Sequence, residues 1–574
     1  MKLTGVLLAA LLLCVAAAHA QIRGPLVVAD RWPECTSLKS WADDIWRLDG
    51  VTSGSERQKA VSLFKWLRLF NRLNCEARGG VTHAFEGPFG KEINARDLHK
   101  HLFVYGWGFC DTHSVIAEGI WCEFKKDLSA ADRVICMHES GGYHTMYRLN
   151  IDGKPGAFDA RYGYYLIEKD TPDARILDWD GVGVDKNVWD NMHYKNRCKP
   201  FVEFPQHELE RLFWLKPKPV FKTETAWREA GGEPEVVFLD PRYKLGTRYH
   251  DMKFNMPRGT TIERHWDNSM KKWFIPGAKG VSDQFLPEGR FYRVGASMVG
   301  GDGEKNDPNF PLMKPYMTRV PVGMGYPEYI EGDMSLGQAW GKVSWMPDLA
   351  SGAVEDAKIS GQGLVCAAEA PFVRPEGSGE GEWVLEFYMP YVMVEGYVTG
   401  ELAGDSGDRL EVAFRSQVAK ATNQDEPDQW LPWKTLAAKP GHFQARLDRG
   451  DAAVGESSFH GAYRWQLRIR LAEGAAPDAL AGLNKLGLFG FFENGIMSIP
   501  QLFDGSNTVR FKVDDPAEVK GDIEVSYKWQ TADGEQSHVK RIVPGEMLYN
   551  DNEAVYVIDA PGLIRCNSLT VSYE

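Results

Sequence analysis

A cysteine, a histidine and an aspartate whose order and spacing suit covalent acyl chemistry lie between Gly106 and Tyr165. Cys110 follows a glycine-broken approach, Gly106 and Gly108, and opens GWGFCDTHSVIAEGIWCEF, which reads as a buried helix. A thiol at a helix N-terminus meets the positive end of the helix dipole and unpaired N–H groups, which favour the thiolate, the form that attacks carbonyls. GGYHTMYRLNIDGKPGAFDARYGYY then holds two β-prone runs around Asp152-Gly153, a dipeptide suited to a two-residue hairpin turn. With that turn, position 144 faces position 161, and residue 159 lies on the same sheet face as His144, one diagonal step or about 7–8 Å away. Cys110, His144 and Asp159 thus supply a nucleophile, a base and an orienting carboxylate. Two other histidines compete as base, His113 three residues after the cysteine and His138 in HESGG, but neither has a carboxylate placed by a turn.

The order Cys110, His144, Asp159, at separations of 34 and 15 residues, resembles the transglutaminase-like superfamily, a papain-related group with its cysteine on a helix and its histidine and aspartate on neighbouring strands. The resemblance covers roughly residues 40–170. It implies an α+β catalytic unit and attack on a carboxamide or peptide carbonyl through a thioester acyl-enzyme, resolved by water or by an amine. The family often has Ala-Trp after its histidine and a tryptophan shortly before its aspartate; here stand Thr145-Met146 and Pro155-Gly156-Ala157-Phe158. The backbone N–H of Cys110 is a candidate oxyanion donor, and Trp107 a candidate cleft wall.

The elements that must position these residues follow from periodicity. Ser55 to Phe70 reads as a helix, with Ser55 and Gln58 in a capping-box pattern and Ala60, Leu63, Phe64, Leu67 and Phe70 on one stripe. Asn74 to Lys91, with His83, reads as a loop near the cleft. Residues 1–20 read as a secretory signal peptide: Lys2, an apolar Gly5 to Ala18, and the small-x-small Ala18-His19-Ala20. A secreted or periplasmic product starting at Gln21 is expected.

Of nine cysteines, Cys14 leaves with that leader, and Cys35, Cys75, Cys110, Cys122, Cys136 and Cys198 crowd the first 200 residues. With Cys110 kept free, at most two bridges fit there. No C-x-x-C pair or histidine cluster suggests zinc. Asp178, Asp180 and Asp185 in ILDWDGVGVD resemble a short calcium loop but supply too few oxygens, so no metal or cofactor is expected. A net charge of −13 without a basic block speaks against nucleic acid or anionic lipid, and no later apolar run is long enough to span a membrane.

At 574 residues the chain exceeds one core. The expected division is a catalytic domain over 21–214, ending before Lys216-Pro217-Lys218-Pro219; an irregular β-rich middle domain over 215–370; and a β-sandwich over 371–574. GGDGEKNDPN at Gly300 to Asn309 reads as a loop. In the last part Trp465, Leu467, Ile469 and Leu471 alternate with Arg464, Gln466, Arg468 and Arg470, and Val509 to Val513 and Ile523 to Trp529 repeat the period of two. The rhythm of RLEVAFRS, QWLPWKTL and RWQLRIRL resembles the jelly-roll accessory domains of secreted enzymes and adhesins. The expected partner is a protein or peptide amide substrate. A second reading is a non-catalytic surface protein on a retained scaffold whose β-domains bind polysaccharide, with Trp266, Trp273, Trp340 and Trp345 as its platform. A calcium-held adhesin resting on the aspartate loop is a third.

Overall fold

The computed structural model describes residues 21–70, 98–105, 110–137, 143–159, 164–167, 173–178, 250–266, 338–377, 379–405, 409–418, 429–447, 456–459, 461–472, 481–548 and 552–574, with short strand pieces at 72–73, 85–86, 92–93, 107–108, 193–195, 220–221, 291–293 and 328–330. The leader at 1–20, His83, His138, Asp180, Asp185, the 216–219 linker, Trp273 and the loop at 300–309 lie outside these residues. The molecule is mostly β, and no described helix is long and apolar enough to cross a membrane.

After strand β1 (Leu26–Ala29) come α1 (Leu38–Leu48), α2 (Glu56–Phe70) and α3 (Cys110–Lys125). In α1 Ser37 and Ser40 exchange capping bonds and Trp41 and Ile45 are fully buried. In α2 the expected capping box is present: the Ser55 N–H donates to Gln58 Oε1 and the Gln58 N–H to Ser55 Oγ. Its stripe of Ala60, Leu63, Phe64, Leu67 and Phe70 is wholly buried.

The helices lie against an antiparallel sheet containing β2 (Ala131–Met137), β3 (Tyr143–Ile151), β4 (Lys154–Asp159) and β5 (Tyr164–Ile167), flanked by His193–Lys195 and Val220–Phe221. Tyr147 stacks on Phe158 across the hairpin, and Phe64 of α2 meets both Phe158 and Tyr165. That face is therefore the helix-covered one.

Beyond residue 250 the named elements are strands and short 3₁₀ turns: β6 (Thr260–His265), β7 (Gln338–Trp345), β8 (Glu380–Tyr388), β9 (Val392–Ala403), β10 (Arg409–Val418), β11 (Arg464–Ala472), β12 (Gly482–Gly495), β13 (Gly505–Lys512), β14 (Ile523–Thr531), β15 (Gly534–Ile542), β16 (Glu553–Ala560) and β17 (Arg565–Tyr573). A ten-stranded sheet runs through β12, β7, β6, β17, β14 and β15, with β9 also on β12; a second sheet has β8, β11 and β10 as neighbours; β1, β13 and β16 make a third. Trp345 of the large sheet meets Phe387 of the second edge-on at 4.8 Å, and Phe387 stacks on Trp465. The alternation expected in β11, β13 and β14 is present, with Trp465, Leu467, Ile469, Val509, Phe511, Val525 and Tyr527 buried.

Two features join what the sequence divides. The position 370/371 boundary falls inside the large sheet, where β6 and β7 are wedged between β17 and β12. Strand β1, from the start of the chain, pairs with β13 near its end. A histidine relay closes the same junction: His99 Nε2 accepts from the Leu38 N–H in the first turn of α1, its Nδ1 donates to the His250 carbonyl, and His250 Nε2 donates to the Pro390 carbonyl. His99→Phe leaves that N–H and that carbonyl without this ring, so a loss of roughly 2–4 kcal/mol in urea unfolding is expected. Full stability in the variant would remove the relay from the account.

Tryptophans proposed as a sugar platform lie in the core instead. Trp266 and Trp345 are buried in side-chain packing, and Trp340 is covered by the His265 ring, stacked flat on it at 3.8 Å. Apolar ring area in a sheet core contributes more by burial than it does at the surface. Next to that stack, Glu263 Oε1 lies 3.0 Å from His265 Nε2, close enough for an ion pair though off the line of a good hydrogen bond, and Oε2 is 2.5 Å from Lys342 Nζ. His265 first, and Lys342 with it, outweigh desolvation and hold the Glu263 carboxyl at about 2. A carboxyl lowered on folding stabilises above its unfolded value and loses that contribution as pH falls. Wild-type melting temperature should therefore drop relative to Glu263→Gln between pH 5 and pH 2, a contribution on the order of 1–2 kcal/mol for this half-buried group.

Candidate active site

The β3–β4 hairpin turns where the sequence places it. Asp152 and Gly153 both adopt positive φ, 51° and 79°, and Ile151 pairs with Lys154. This is the left-handed geometry of a tight two-residue turn, which Asp and Gly tolerate best. The ladder pairs Tyr147 with Phe158 and Arg148 with Ala157, and β2–β3 pairs Cys136 with His144, without a bulge. By period-two alternation positions 144 and 159 belong to the strand face that also carries Met146, Arg148 and Ala157, opposite the one α2 covers.

Cys110 is the first residue of α3. The other end of α3 is pinned to the hairpin: Trp121 Nε1 donates to the Asn150 carbonyl at 3.1 Å, and Glu56, which pairs with Lys125, accepts the Asp152 N–H at 2.7 Å. From that anchor Cys110 lies about 16 Å back along α3, and His144 about 20 Å back along β3. Position 159 ends β4 at the same end of the hairpin as position 144 and on the same face. The side chains of Cys110, His144, Asp159 and Trp107 lie outside the described residues. Arg72–Leu73 pairs in parallel with Trp107–Gly108, tying the end of α2 to the approach to Cys110.

His113 is 1% exposed inside the helix layer, with Ser114 and Glu118 equally buried on the same helix. These last two are polar groups that the sequence reading passed over; the signal is Glu118 interrupting the apolar run from Val115 to Trp121, with Ser114 just before it. Of the aspartate loop only Asp178 is described: Arg148 pairs with Asp132 and, at 3.3 Å, with Asp178. No group able to hold a metal occurs among the described residues.

Among the described residues the other thiols are held back by burial, which drives the Cys35 thiol well above the usual range and pushes Cys366 up to about 12. Cys122 and Cys566 are buried and donate to the carbonyls of Leu128 and Leu502.

No protein family and no curated protein matches the chain. Among solved structures, an allantoicase aligns at 8% identity over 33% of this chain and 73% of its own, with a TM-score of 0.16. A putative beta-galactosidase from Bacteroides fragilis aligns at 10% identity over 32% of this chain and 28% of its own, with a TM-score of 0.11. Likenesses this slight carry no argument about fold or activity, and nothing in them points to a transglutaminase-like fold.

Proposed function

We propose that the chain is an exported cysteine enzyme of the transglutaminase-like, papain-related kind, acting on an amide or peptide carbonyl, with a jelly-roll-like β-sandwich as accessory part. What supports this reading is the register that puts 144 and 159 on one strand face, together with Cys110 as the first residue of α3, whose far end is pinned to the same hairpin. In this reading Cys110 attacks the carbonyl carbon and His144 accepts the thiol proton, then donates it to the leaving amine. Asp159 holds the imidazole in the tautomer that performs both transfers. As the first helical residue, Cys110 has a backbone N–H with no partner inside the helix, suited to the oxyanion. Water or a second amine then resolves the thioester.

The test is limited alkylation with iodoacetamide at pH 6 followed by peptide mapping. A single fast-reacting thiol at Cys110, slowed in His144→Ala, is expected. The raised thiols of Cys35 and Cys366 and the burial of Cys122 and Cys566 keep the labelling of these four low. Uniformly slow labelling would remove the enzyme reading and favour the non-catalytic surface protein.

A further inference from the structure

In the second sheet, β11 departs from its own pattern. Gln466 lies on the face turned away from the core yet is 3% exposed. Its Oε1 accepts from Arg415 Nε at 2.8 Å and its Nε2 donates to Glu386 at 2.6 Å. Beside its partner Arg415 stands the segment around Trp430 and Trp433, tied to β10 by the Leu431 N–H on the Ser416 carbonyl and to Ser457 by its Oγ on the Pro432 carbonyl. The Arg415 guanidinium lies 4.8 Å from the Trp430 ring and 4.3 Å from that of Trp433, and Arg468 lies 4.7 Å from the latter.

Two partly exposed indoles on the solvent side of a sheet are poorly explained by stability, which would favour them in the core. Close guanidiniums are unfavourable as well, since Arg415 and Arg468 repel each other. Nε of Arg468 is shielded from solvent without a hydrogen-bond acceptor, which costs free energy, while Nε of Arg464 faces Glu386 Oε1 at 3.9 Å. The carboxylates here are already engaged, Glu411 by Arg468 at 3.0 Å and by Thr435, and Glu382 by Arg470 at 2.5 Å. Positive and negative groups nearly balance, so neither an anion nor a cation finds a free counter-charge. A ligand suited to this face is uncharged, rich in paired hydroxyls and flat enough to lie on an aromatic ring.

We propose that the outer face of the β8–β11–β10 sheet, around Trp433, Trp430, Gln466 and Glu411, binds a neutral polysaccharide chain. Sugar rings lie on the indoles by their C–H faces while the guanidinium donors and carboxylate acceptors take vicinal hydroxyls. This site is separate from the cysteine site and stands whether or not that site is catalytic.

The experiment is affinity electrophoresis of the full chain in native gels cast with hydroxyethylcellulose, xylan, galactomannan or laminarin, with polygalacturonate as the charged arm. Retardation by at least one neutral polymer is expected, falling at least tenfold in apparent affinity for the Trp430→Ala/Trp433→Ala protein. Glu411→Gln, which keeps the side-chain shape, should weaken it about fivefold and decides the matter should the double variant not fold. No retardation by any of the four neutral polymers, retardation by polygalacturonate alone, or unchanged retardation in Glu411→Gln would overturn the proposal.

Discussion

Cys110→Ala is expected to abolish turnover of any amide substrate, His144→Ala to come close, and Asp159→Asn to retain the most activity of the three. No other group in the proposed site forms the covalent intermediate, so loss of the sulfur leaves nothing to attack. Loss of His144 removes the base and the cation that stabilises the thiolate. Asn at 159 keeps the imidazole in place but favours the wrong tautomer, a change that lowers rate by up to about four orders of magnitude in serine triads. In a thiolate–imidazolium pair the proton has moved before substrate binds, so the penalty is expected to be smaller. Position 144 is in a sheet whose core is supplied by Tyr147, Leu149 and Phe158 on the other face, so melting temperatures should change little. The measurement is kcat/KM on an amide substrate found by screening, with alkylation rate against pH for each variant. Full activity in His144→Ala would sink the assignment and return His113 or His138 to consideration; the burial of His113 in the helix layer already makes it the harder of the two to reach.

Local chemistry explains what was legible in the sequence. Asp152-Gly153 announces its turn because few other pairs accept two successive positive φ values, and the turn then fixes the register of Tyr143 to Asp159. Ser55 and Gln58 announce the start of α2 in the same local way. Helix α1 was not anticipated: its cap uses Ser40 where Glu or Gln is the usual signal, although Leu38, Trp41, Ala42, Ile45 and Trp46 form an unbroken stripe. Strand partners were not legible either. The alternation in Thr260–His265 shows a buried face, but its neighbours at 338–345 and 565–573 are set by long-range packing. Gln466 illustrates the same limit at one residue, since its polar position in β11 reads as solvated until its bonds to Arg415 and Glu386 are seen.

Residues 371–574 expressed alone are expected not to melt cooperatively, although their own alternation reads as a complete sandwich. Their removal from the chain takes away β6 and β7, the two strands that connect β17 to β12. The large sheet then separates into a β9–β12 part and a β14–β15–β17 part, each with a newly unpaired edge. Strand β13 also loses β1 along Val509 to Lys512. The core loses Ile262, Val343 and Trp345, and with Trp345 the ring that packs against Phe387 between the two sheets. Deleting one buried tryptophan side chain costs about 3–5 kcal/mol, and the whole stability of a domain is typically only about 5–15 kcal/mol. Losing two central strands besides should exhaust it. The fragment should bind 8-anilinonaphthalene-1-sulfonate and show a broad, non-cooperative near-ultraviolet transition, whereas residues 21–574 melt sharply. A sharp, reversible transition from the fragment would mean that β9–β12 and β14–β17 close on each other without β6 and β7, and that the sheet order seen in the intact chain is not the one its C-terminal sequence prefers.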